Sequence, residues 1–160
     1  MIEAAIFIIL PLCLAIAAFS DLFTMTIPNR VSAIILGAFV LVAPLAGLDL
    51  TTIGIHLSAG LAVFVVCFAL FALNVMGGGD AKLLTASAVW FGFNNSLIEF
   101  LIYVSALGGV LAILVLMMRK QENTILASGL PVPHLLLTAK KIPYGIAIGM
   151  GGFFAYPSSP

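Results

Sequence analysis

Charge is the scarcest feature of this sequence. Only 8% of its 160 residues are Asp, Glu, Lys or Arg, while 63% are hydrophobic, and the mean hydropathy is +1.29. A soluble domain carries roughly 25% charged and about 45–50% apolar residues, so most of these side chains are expected to face lipid. Clustered positive charge is also missing. Six Lys and Arg balance six Asp and Glu, and no basic run exceeds the dipeptides Arg119-Lys120 and Lys140-Lys141. Nucleic-acid binding needs a basic patch or stripe, so that partner is excluded. Cysteine is nearly absent: Cys13 and Cys67 each sit in an apolar run, outside any CxxC or Cys/His spacing. No metal set and no cofactor is expected. The first twenty residues lack a positive n-region and a small-residue cleavage pattern, so they are read as a retained span rather than a removed signal.

What is present is a series of apolar runs. Backbone groups in hydrocarbon must be satisfied within their own segment, so the expected fold is all-α, a polytopic transmembrane helix bundle forming one domain over residues 1–160. Spans are placed at residues 4–20, 31–48, 53–76, 83–93, 97–118 and 142–156. The fourth is short, about 16 Å of helix, against a hydrocarbon core of about 30 Å, and a re-entrant segment is the alternative to a crossing. With six full crossings, Arg30, Lys82, Arg119, Lys120, Lys140 and Lys141 all fall on one side. That side is expected to be cytoplasmic, with both termini outside. The stretch 121–141, broken by Pro131 and Pro133, is expected to lie along the membrane surface.

Two acids then share one depth. Asp21 closes span 1 and Asp80 opens span 4, both on the cytoplasmic side. Either alone has a bland reading, Asp21 as a helix-end marker and Asp80 as an N-cap. Together they form a candidate pair for peptide hydrolysis, in which an ionised carboxylate takes a proton from water and a protonated one polarises the scissile carbonyl. Helix polarity favours the anion at an N-terminus, which makes Asp80 the base and Asp21 the acid. Gly77, Gly78 and Gly79 precede Asp80; they allow close backbone approach or a positive φ, or form a flexible turn.

Gly77-Gly78-Gly79-Asp80 with Lys82 close behind, the acid of span 1 followed by Ile27-Pro28-Asn29, and Lys141-Ile142-Pro143-Tyr144-Gly145 opening the last span occur in that order. This set resembles the type IV prepilin peptidases, GxGD-type membrane aspartic proteases. The resemblance implies that Asp21 and Asp80 are catalytic and that the substrate is a prepilin, whose short basic leader is removed at the cytoplasmic face of a bacterial inner membrane. It marks other pilus-assembly proteins and membrane lipid as further partners. Longer members carry a cytoplasmic region with paired CxxC motifs and methylate the new amino terminus. This chain has no such insertion, is similar to the short peptidase-only form of tight-adherence pili, and is expected to have no methyltransferase domain.

Pro28 and Asn29 are supporting candidates for the loop beside the pair, and Lys82 for easing ionisation of Asp80 or meeting lipid phosphate. His134 and His56 are too far apart in the expected topology to share a metal. Ser20, Ser87 and Ser128 lack a partner base for serine catalysis. Two non-protease readings compete. In a proton- or cation-coupled carrier, Gly77 to Gly79 would break a helix at an ion site. A non-catalytic pilus-assembly subunit would offer Gly108-Gly109 and Gly149 to Gly152 to partner helices.

Overall fold

The computed structural model describes residues 2–121 and 142–156. Among these residues it contains six helices and no strand: α1 (Ile2–Thr24), α2 (Asn29–Leu45), α3 (Leu50–Ala72), α4 (Gly78–Phe91), α5 (Asn95–Lys120) and α6 (Tyr144–Ala155). Each expected apolar stretch overlaps one helix. The surface segment expected after Gln121, with Ser128, His134, Lys140 and Lys141, lies outside the described residues.

By length and composition α3 and α5 are each able to cross a membrane, whereas Ile8–Thr24, α2 and α6 are shorter apolar helices. Leu61, Val65 and Phe68 on α3 and Ile113, Leu114 and Met117 on α5 are exposed. An outer surface this apolar belongs in lipid rather than water.

The helix ends differ from the expected ones for local reasons. α1 continues past Ser20 to Thr24, so Asp21 lies inside its last turn. The turn closes there because Met25 takes φ +52°, and because the Ser20 hydroxyl donates to Thr26 O at 2.9 Å while the Thr24 hydroxyl donates to Ser20 O at 2.7 Å. Pro28 then occupies the N-cap position of α2 with φ −62°. Asp49 caps α3, accepting from Thr52 N at 3.3 Å and from the Thr52 hydroxyl, bonds that hold its exposed carboxyl below the usual carboxylate range. α3 ends at Ala72, short of the expected Met76, and the turn that follows carries Asn74 at φ +58°.

α4 is the centre of the bundle. Ala81, Leu83, Ala86, Ala88, Val89 and Phe91 are all buried, and the helix packs against α3, α2 and α6. It begins at Gly78 and ends at Phe91, earlier at both ends than the expected 83–93. Its 14 residues reach only about 21 Å, but its walls are other helices. At its far end Trp90 Nε1 donates to Ile35 O at 2.9 Å, and His56 Nδ1 lies 2.8 Å from Val89 O. Phe39 stacks on His56 with centroids 5.3 Å apart and meets Trp90 edge-on at 5.8 Å. Gly92 ends the helix at φ +68°, and a Cβ there would lie 2.9 Å from the His56 ring. Only glycine suits both requirements.

α6 wedges between α1 and α5 through glycines. A Cβ at Gly149 would lie 3.1 Å from Ala18 Cβ, one at Gly151 would lie 3.0 Å from Val104 N, and Gly108 receives the Tyr144 ring. The small-residue surfaces Gly149 to Gly152 and Gly108 are therefore used inside this chain. Gly109 alone of that set faces open space.

Gly60 on α3 is pressed against the Val89 side chain of α4, leaving no room for a Cβ. Gly60→Leu should overpack this contact and lower stability by about 1–3 kcal/mol, read as a fall in the thermal midpoint of the detergent-solubilised protein.

Candidate active site

The two motif loops meet at one end of the bundle. Ile27 packs over Gly79, where a Cβ would lie 3.2 Å from Ile27 Cβ, and Lys82 Nζ donates to Asn29 Oδ1 at 3.0 Å. Arg30 follows Asn29 directly, so two of the basic residues used for the topology argument lie at this same end.

Asp80 belongs to the first turn of α4. Its N-cap is Gly77, with φ −72° and ψ 144°, which corrects the expectation of Asp80 as the cap. An acid three residues after the cap folds back toward the start of the helix. Accordingly a Cβ at Gly77 would lie only 2.7 Å from Asp80 Oδ2. The three glycines start a helix and do not interrupt one, and none has a positive φ. Their use is close approach: Gly77 to the Asp80 carboxylate, Gly78 to the Phe71 ring, from which a Cβ would lie 3.2 Å, and Gly79 to Ile27.

Asp21 is 5% exposed. A carboxylate removed from water needs donors, and Gly145 N donates to Asp21 Oδ2 at 2.7 Å. Gly145 lies in the first turn of α6, behind Pro143 at the N-cap position. Asp21 thus sits at the end of its own helix and at the beginning of another. The partial positive charge of that N-terminus and the N–H itself stabilise negative charge on Asp21. Helix polarity therefore acts on both carboxylates, and it does not distinguish base from acid as the chain's own order of helices implied.

Both aspartates line one cavity of about 1180 Å³, with Asn29, Gly77, Gly78 and Gly79. Pro28 and Lys82 are not among its walls: Pro28 is the N-cap of α2, and Lys82 donates to Asn29, which is. Cys67 on α3 lines the same cavity. Among the described residues there is no group of three His, Cys, Asp or Glu placed to hold a metal ion. Gly145 was absent from the candidate residues, although the Ile142-Pro143-Tyr144-Gly145 island carried the signal for it.

Compared with known proteins, residues 8–113 match the model of the type IV leader peptidase family. No curated protein and no solved structure matches the chain.

The Lys82–Asn29 bond is exposed, so its removal should cost little stability. Asn29→Ala should shift global stability by less than about 1 kcal/mol. It should also raise amide exchange selectively in residues 25–29, measured by hydrogen–deuterium exchange.

Proposed function

Because the chain belongs to the type IV leader peptidase family, a match that covers both aspartates, we propose that this membrane peptidase cleaves prepilins with Asp21 and Asp80 as its catalytic pair. The observation that carries the reading is that two acids from separate helices open into one cavity, with a backbone N–H on one of them. Mutual repulsion in a shared site keeps one proton on the pair. The ionised member removes a proton from water, whose oxygen attacks the scissile carbonyl carbon. The protonated member donates to the carbonyl oxygen. Collapse of the tetrahedral intermediate passes a proton to the leaving amine and releases the leader. The two roles belong to the pair rather than to named members.

A site on the cytoplasmic face of the bacterial inner membrane is supported by Arg30 and Lys82 beside it, since basic residues mark that face. Six crossings, with both termini outside, is the arrangement that puts all six Lys and Arg on that one side. The single domain 1–160 is taken to act without methylation of the product.

In co-expression with a candidate prepilin, wild type should yield the shorter mature form. Asp21→Ala and Asp80→Ala should each lower processing by at least about 10²-fold; undiminished processing in both would overturn the mechanism. The rate should fall at low pH, where both carboxyls are protonated and the base is lost, and at high pH, where both ionise and the acid is lost. A single titration limb would contradict a shared proton. Gly145→Ala places a Cβ 2.9 Å from Asp21 Oδ2, and it should slow cleavage by about 10-fold or more by displacing that carboxylate.

A further inference from the structure

The bond from Lys82 to Asn29 fixes which way round the Asn29 amide stands. An ammonium carries three donors and no acceptor, so the atom 3.0 Å from Lys82 Nζ has to be Oδ1. The Nδ2 group is thereby left over. Among the described residues no acceptor meets it. Asn29 lines the same cavity as Asp21 and Asp80, and it is the first residue of α2, a helix packed against α4. Its exposure leaves the NH2 group to water until something displaces that water. Other polar groups in this wall are less suited. The Thr26 hydroxyl is paired with that of Thr24 at 2.7 Å. Asn74 also lines the cavity, but among the described residues nothing bonds its side chain to orient it.

We propose that the Asn29 NH2 group clamps the substrate backbone by donating to a peptide carbonyl next to the scissile bond, and that Lys82 is the positioning residue that keeps this donor turned to the cavity; this rests on the leader-peptidase reading. A peptide bond open to attack cannot keep its helical hydrogen bonds. The carbonyls beside it then lose their partners, and in a site that excludes water each needs a new donor. The two carboxyl groups hold one proton between them, and that proton is used on the scissile carbonyl itself. Asn29 supplies the neighbouring donor. A free amide could equally present its oxygen, which would repel a carbonyl. With Oδ1 committed to Lys82, only the N–H side is offered.

The test uses the full chain in lipid vesicles and a synthetic prepilin spanning the cut, with kcat and KM measured at the plateau pH of each variant. Asn29→Asp keeps an acceptor for Lys82, now charge-assisted, but has no N–H to offer. Hydrogen–deuterium exchange in residues 25–29 should stay at the wild-type level. KM should rise by about tenfold or more while kcat holds, the pattern of lost ground-state binding. A wild-type KM in this variant would reduce the pair to a brace between loops and overturn the clamp. A fall in kcat at constant KM would make Asn29 a partner of the carboxylates, which overturns it too. Lys82→Met should raise KM in the native chain and leave it unchanged in Asn29→Ala, because the lysine works through the amide. Lys82→Arg, which donates and cannot accept, should rescue KM. An equal effect of Lys82→Met in both backgrounds would overturn the positioning role. Failure of the unsubstituted protein to cut the peptide would instead overturn the peptidase reading, and the clamp with it.

Discussion

A carboxylate drawn out of water costs several kcal/mol unless donors meet it, and Asp21 is met by the N–H of Gly145 at 2.7 Å. That bond joins residues 124 positions apart, the end of the first helix and the start of the last. It also sets the shape of the bundle around it. Pro143 is fully buried and precedes the first turn of α6, Gly145 has no side chain to push the carboxylate away, and Gly149 to Gly152 bring α6 against α1 and α5. A larger residue at 145 would occupy the space of the Asp21 carboxyl itself.

α4 supplies the second acid and the rigidity. Its 14 residues are shorter than a hydrocarbon core of about 30 Å, and other helices line its sides. Its two ends then serve different purposes. At one end Trp90, His56 and Phe39 lock it to α2 and α3 through backbone carbonyls and ring contacts. At the other, three glycines allow Asp80, Phe71 and Ile27 to crowd its first turn. A helix anchored firmly at the far end presents its N-terminal acid with little freedom to move.

The family match covers residues 8–113 and so includes Asp21, the Ile27 to Asn29 loop and Asp80, but it stops before α6. The donor to Asp21 therefore lies outside the matched region. An acid contributed by the matched part is oriented by a backbone group from the unmatched part, which makes α6 part of the site rather than a peripheral span.

Much of this was legible from residues alone. Scarce charge and long apolar runs set an all-helical membrane chain, since lipid permits few other spanning structures. The Gly-rich run before Asp80 and the acid before Ile27-Pro28-Asn29 marked the two loops that meet, because those motifs are local and contiguous. Helix ends slipped by a few residues where hydroxyls and turns, invisible to hydropathy, extended α1 or shortened α3. His56 looked incidental, because nothing in its neighbourhood of sequence announces Val89 or Phe39. Which carboxylate meets which helix terminus was likewise beyond the sequence. Asp21 ends its own helix, and only the packing of α6 across α1 gives it a second, opposite terminus. Sequence determined which groups are costly to bury in lipid; tertiary structure decided which distant backbone groups relieve that cost, because hydrogen bonding acts over about 3 Å in space, whatever the separation along the chain.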